Sequence, residues 1–161
     1  MSFPEHFISV FARNCNVRRM DGPEARTFIE RHHRYGWSKC RYCYGLFVEK
    51  EGHDGRFHKG DLVAVSCFSN ARKWEKDGVS IKSYEWVRYA SVEGVRVSGG
   101  MGKMLNAFIE EVQPDDVMSY APLSEGDEGE VYLKLGFTLE EIKEFGSGKS
   151  AKFRLKLTDY R

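Results

Sequence analysis

The chain contains no apolar stretch approaching the ~20 residues that a membrane-crossing helix needs, so no helical span is expected. It opens MSFPEHFISV, without a basic stretch ahead of a long apolar run, and no secretory leader is expected. It lacks an excess of either charge: 25 Lys and Arg face 24 Asp and Glu, a formal +1. That near-balance excludes a histone-like coat for polyanions, whose mark is a large basic surplus. Cysteine is scarce, with only Cys15, Cys40, Cys43 and Cys67 in 161 residues. A chain of this size does not need disulfide staples, so reduced thiols and a cytoplasmic setting are expected. Internal repeats and low-complexity tracts are lacking too. The most polar, glycine-rich stretch, residues 51–61, is flanked by apolar runs; it reads as a loop, and residues 1–161 as one domain.

What is present is a core-forming composition, 41% hydrophobic and 14% aromatic. The charges are also unevenly spread. Residues 1–50 carry +4, residues 51–109 +2, residues 110–144 −9 and residues 145–161 +4. Strand patterns fall at residues 16–20, 42–49, 62–69, 83–90, 117–120, 137–142 and 151–157. A helix begins at Asp21-Gly22-Pro23 and runs to about Arg34, with Ala25, Phe28, Ile29 and His32 on one face. A second occupies residues 103–112, with Met104, Leu105, Phe108, Ile109 and Val112 at helical spacing. A short third covers residues 128–135 and stops at Gly136. The alternation predicts an α/β (α+β) fold: a mixed central sheet of about six or seven strands flanked by helices.

Residues 95–102, VRVSGGMG, form a glycine-rich turn between the strand at 83–90 and the second helix. Val97, Ser98, Gly99, Gly100 and Gly102 leave backbone N–H groups open at a helix N-terminus, whose dipole favours an anion, and Lys103 adds a cation. A phosphate or pyrophosphate suits this place. The glycine spacing is that of neither a P-loop nor GxGxxG, and a plain strand-to-helix connection is the alternative.

In this order of elements the turn resembles the acyl-CoA loop of the GNAT N-acetyltransferase superfamily. Tyr132-Leu-Lys-Leu-Gly136-Phe137 resembles the Y-x-x-x-G-F that closes a GNAT helix before the penultimate strand. The likeness extends over most of residues 16–158. It implies acetyl-CoA or another anionic donor, held at Val97–Lys103. The loop departs from the usual Gln/Arg-x-x-Gly-x-Gly/Ala in having Met101 where Gly or Ala is expected from Arg96. A narrower set of segments resembles phage GNAT-like proteins that include the Mom DNA-modification family. They are Arg31-His-His33-Arg-Tyr35-Gly36, Tyr44-Gly-Leu-Phe47, Leu62-Val-Ala-Val65, Tyr84-Glu-Trp-Val-Arg88, Val97-Ser-Gly-Gly100 and Ser119-Tyr-Ala121. Some members have Asp where this chain has Pro122. That resemblance implies transfer of a carbamoylmethyl group to adenine N6 in double-stranded DNA, to evade restriction in the cytoplasm of an infected bacterium. The other enzymatic reading is an acetyl-CoA-dependent N-acetyltransferase for a small amine or a protein amino group; the non-enzymatic one is a binding module.

The resemblance places an acidic base on the strand that holds Glu85, beside Trp86; an ion pair with Arg88 is the plain alternative. It places a general acid at Tyr132, which can also be an interface ring with a bonded hydroxyl. Tyr120 and Ser124 follow a strand that ends where a cleft is expected. His33 matches the phage family's histidine. Arg31, Arg34, Tyr35, Lys39, Arg41 and Arg88 are basic and aromatic candidates for phosphate contact and base stacking, against an ordinary solvated face. Cys40-Arg-Tyr-Cys43 is a lone CxxC; with His32 it is a weak metal candidate, and no metal site is assigned. A homodimer is left open.

Overall fold

The computed structural model describes residues 8–51, 56–122, 129–146 and 148–160. The chain forms two compact units: Met1–Phe68 with Arg88–Val112, and Ser69–Val87 with Gln113–Arg161. One strand, β6 (Val79–Ser91), contributes residues to both.

In the first unit, β2 (Cys15–Met20), β3 (Tyr42–Val48) and β4 (Leu62–Phe68) run antiparallel in that order. The runs YCYGLFV and LVAVSCF are buried over nearly their whole length, the signature of strands covered on both faces. Asp21 starts α1 (Gly22–His32) by accepting a 2.9 Å hydrogen bond from the Glu24 N–H. Ala25, Phe28 and Ile29 of α1 then pack on Met20, Cys43, Val65, Cys67 and Ala90. The helix stops at His32, two residues short of the predicted Arg34. His33 turns extended while its N–H closes on the Ile29 carbonyl at 2.8 Å.

The turn expected at residues 95–102 is a strand followed by a helical turn. β7 (Val95–Ser98) pairs in parallel with β1 (Ile8–Phe11), Ile8 opposite Val95, and α2 already begins at Gly100 and runs to Val112. Gly99, at φ +79°, makes the bend. A Cβ on Gly100 would lie 2.6 Å from Val97 Cγ1, so only glycine fits there. Phe108 of α2 stacks on Phe68 with ring centroids 4.0 Å apart.

In the second unit β5 (Arg72–Lys76) and β6 form a hairpin closed by Asp77 (φ 53°) and Gly78 (φ 79°). Two positive φ values in a two-residue loop match the twist of flanking strands. β6 thus starts four residues before the expected position. It pairs in parallel with β8 (Asp116–Pro122), which pairs antiparallel with β10 (Gly148–Lys156), and β10 with β9 (Thr138–Phe145). The short α3 (Glu130–Lys134) precedes β9. The seven predicted strands form the path of the central sheet, β2-β3-β4-β6-β8-β10-β9, and three more are present among the described residues: β5, paired to β6, and the separate pair β1-β7. The unpredicted ones, β1, β5 and β7, are short, exposed or paired with distant sequence. The start of the third helix at residue 128, the Ser147 turn position and residues 52–55 of the predicted loop lie outside the described residues. No helix among the described residues is long and apolar enough to cross a membrane.

Candidate functional site

The parallel ladder between β6 and β8 is only three pairs long: Ser83 with Asp116, Tyr84 with Val117 and Glu85 with Met118. Its last pair carries Glu85, and the backbone there is clamped. Ser69 N–H donates to the Glu85 carbonyl at 2.8 Å and Glu85 N–H donates to Ser69 Oγ at 2.9 Å. The Glu85 carboxylate accepts from Arg72 Nη2 at 2.9 Å. Its predicted alternative partner, Arg88, instead donates from Nε to the Gly36 carbonyl at 2.8 Å. The strand that carries Arg72 was not expected, so neither was this pairing.

One residue past the ladder, the buried Ser119 Oγ lies 3.0 Å from the Trp86 carbonyl and 2.9 Å from the Tyr132 hydroxyl. Tyr132 stands among three rings. Trp86 meets it edge-on at 6.1 Å and Phe137 at 5.4 Å, while Phe153 stacks at 5.3 Å. Ser119 and Tyr132 thus meet beside Trp86 at the end of one short ladder in the second unit, while Glu85, the residue before Trp86 on β6, faces the other side by the alternation of a strand. Tyr120, the next residue of β8, is exposed and opposite Lys152, away from Ser119 by the alternation of a strand. Ser124 lies outside the described residues. Sequence reasoning missed Ser69 and Arg72, and named Ser119 only within the segment Ser119-Tyr-Ala121, with no role. Asp77-Gly78 between two strand-like runs was the signal for Arg72; for Ser69 no local pattern exists.

In the first unit the earliest bond of α2 is Lys103 N–H to the Gly99 carbonyl, 3.1 Å. The N–H groups of Gly100, Met101 and Gly102 come before it, outside the helix's own ladder. Ser98 and Gly99 are exposed and Val97 half-buried. Lys103 does not present a free cation to an anion: its ammonium donates to the Ala12 carbonyl at 2.9 Å and the Cys15 carbonyl at 2.5 Å. It ties α2 to the chain between β1 and β2, so the amides alone face any anion there.

His33 accepts at Nδ1 from the Tyr35 N–H, 3.0 Å. Burial and the neighbouring Arg88 push its pKa below the usual imidazole value. Arg88, His33, Tyr35 and Gly36 therefore form one knot that fixes the segment after α1. Arg31, Arg34, Lys39 and Arg41 are exposed, as is Tyr35, with Arg34 over its ring at 5.5 Å. His32 is turned to the Glu93 N–H at 3.3 Å and to the Phe28 ring, not to the cysteines. The Cys40 thiol donates to the Ser38 carbonyl at 2.9 Å, and Cys43 and Cys67 stand opposite each other on β3 and β4. Hydrogen bonding with Cys40 and Cys43, together with burial, pushes Cys67 upward. Among the described residues no group of three or more His, Cys, Asp or Glu side chains is arranged to hold a metal.

No protein-family profile and no curated protein sequence matches the chain. Solved structures do. Arabidopsis thaliana NAA60 in complex with acetyl-CoA superimposes with a TM-score of 0.68 at 8% identity, over 89% of this chain and 99% of that one. The ribosomal-protein-S18-alanine N-acetyltransferase of Escherichia coli gives 0.62 at 14% identity, over 91% and 96%. A GNAT family acetyltransferase of Elizabethkingia anophelis with acetyl-CoA bound gives 0.60 at 12%, over 89% and 99%. A mixed sheet with the chain order described above, superimposable on these enzymes over nearly its whole length, is the fold of the GNAT acetyltransferases.

Proposed function

We propose that the protein is an acyltransferase that moves the acetyl group of acetyl-CoA to an amine, either a small amine or a protein amino group. The observation that carries this reading is the Tyr132 hydroxyl, bonded to the buried Ser119 at the end of a three-pair parallel ladder in a GNAT fold, with Glu85 on the last pair of that ladder. Each unit by itself carries a group of the kind the donor needs. In the first, three amides precede the α2 ladder, and glycine at 99, 100 and 102 leaves two of them and the bend bare of Cβ atoms; in the second, a phenol hydroxyl is bonded to a buried serine.

Acetyl-CoA, when bound, supplies a thioester whose acyl carbon forms a bond to nitrogen as its bond to sulfur breaks. The amides of Gly100, Met101 and Gly102 would hold its anionic part with the help of the helix dipole. The Glu85 carboxylate accepts the proton that the amine nitrogen loses, and the Arg72 guanidinium fixes its orientation. Tyr132 holds a proton at Oη for the departing sulfur, and regains one from solvent. Calorimetry with acetyl-CoA, followed by release of free thiol in the presence of a panel of amines, tests the reading. Binding heat and amine-dependent thiol release are expected, with kcat reduced ~10²-fold or more in Tyr132→Phe. No binding heat overturns it.

A second reading keeps one observation of its own. Arg31, Arg34, Lys39, Arg41 and Tyr35 are all exposed on one continuous segment, which suits the phosphates and bases of DNA. Modification of adenine N6 in double-stranded DNA would then be the activity. Mass spectrometry of nucleosides from cells that express the protein decides: unaltered deoxyadenosine ends this reading and leaves the amine as acceptor.

A further inference from the structure

The Ser119 hydroxyl has one hydrogen and two neighbours that can accept it. The Trp86 carbonyl, 3.0 Å away, can only accept. The Tyr132 oxygen, 2.9 Å away, can accept or donate. While the Ser119 hydrogen lies on Trp86, Ser119 Oγ is left to accept from the Tyr132 O–H. Once Tyr132 has lost its proton the same hydroxyl rotates, and its hydrogen meets the phenolate. Ser119 is 1% exposed, so bulk water does not substitute for it. The rings of Trp86, Phe137 and Phe153 hold the phenol in place.

We infer that Ser119 is a positioning residue for Tyr132, a two-position donor whose hydrogen moves from the Trp86 carbonyl to the phenolate as the proton leaves. This rests on the reading that Tyr132 gives up a proton during transfer. The balance is simple. The amine nitrogen gains the acyl carbon and loses a proton to Glu85; the sulfur loses that carbon and gains the Tyr132 proton. Ser119 keeps its hydrogen throughout and only redirects it. A hydrogen bond to a charged oxygen is roughly twice as strong as one to a neutral oxygen, so Ser119 favours the deprotonated phenol over the protonated one.

The test uses the full chain with difluorotyrosine at position 132, a more acidic phenol whose ionisation is read by absorbance without any donor present. In Ser119→Ala the ionisation midpoint is expected to rise by about one pH unit, the equivalent of one weak charge-assisted bond. Ser119→Cys, a poorer donor, should move it part of the way, and Ser119→Thr should restore it. With natural tyrosine, Ser119→Ala should lower kcat roughly tenfold at unchanged KM for the amine, again restored by threonine. Thermal unfolding of each variant establishes that it is folded. Should Ser119→Ala fail to fold, the cysteine variant carries the test. A midpoint unmoved in the folded variants overturns the inference. A midpoint that moves in a protein without transferase activity upholds Ser119 and overturns the acyltransferase reading instead.

Discussion

The interiors of the two units are built differently. In the first, β3 and β4 are apolar almost throughout, and the centre is filled by Leu46, Val63, Val65, Phe68 and Phe108, each essentially inaccessible. In the second, a fully buried carboxylate, Asp116, organises the interior. It accepts from Arg154 Nη1 at 2.8 Å, from Ser83 Oγ at 2.9 Å and from the Tyr160 hydroxyl, while Trp74 Nε1 donates to Ser83 at 2.8 Å. Arg154 continues the network to Glu140, which also pairs with Lys152. A unit built by apolar burial is insensitive to charge state, whereas one built on a buried ion pair depends on every partner remaining in place. Glu85 and Tyr132, the residues proposed to handle protons, lie in the second kind of unit. There, fixed polar groups are already the means of construction.

The contrast can be broken by substitution. Phe108→Ala removes a ring that is 0% exposed and should cost roughly 4 kcal/mol. The loss of hydrogen-exchange protection should appear first in β3, β4 and α2. Asp116→Ala leaves Arg154 and Ser83 with a missing acceptor and should cost about 3 kcal/mol, with protection lost first in β8 and β10. If both variants lose protection in the same strands, the division into two kinds of core is wrong. Gly100→Ala places a Cβ against Val97 and should cost about 2 kcal/mol. On the proposed function it should also weaken acetyl-CoA binding, which calorimetry reads directly.

The smallest effect is one of pH. Hydrogen bonds from Arg154, reinforced by Lys152 and opposed by burial, hold the Glu140 carboxyl down at about 2 from an ordinary 4.5. A depressed folded value means stability that is present above the ordinary value and lost as pH falls toward the folded one. Acid unfolding between about pH 5 and pH 2 should therefore flatten in Glu140→Gln. Glu140 is 36% exposed on its side chain, so solvent screening keeps the effect to about 1 kcal/mol or less. A Phe108→Ala protein should keep the wild-type pH slope.

Much of the scaffold was legible before any coordinates. The apolar runs at residues 42–49 and 62–69, the Asp21 cap and the helical period from Met104 to Val112 each encode a local structure that burial alone selects. β1 and β7 were not legible, because a four-residue parallel pair separated by more than 80 positions leaves no periodicity. Tyr132 and Glu85 were reached through a family likeness and not through pattern. What surrounds them, Ser119, Ser69 and Arg72, lies on other strands, and no window of sequence spans them.

The sequence by itself determined which segments are apolar, where helices are capped and that a glycine-rich bend meets a helix N-terminus. These are local facts, set by side-chain chemistry within a few residues. Only the tertiary structure decided that Lys103 serves Ala12 and Cys15 in place of an anion. It also decided that Arg72 and not Arg88 pairs with Glu85, and that a single serine hydrogen stands between Trp86 and Tyr132. Such pairings are a matter of distance between strands, and hydrogen bonds a few tenths of an ångström either side of 3 Å depend on register, which composition and periodicity do not carry.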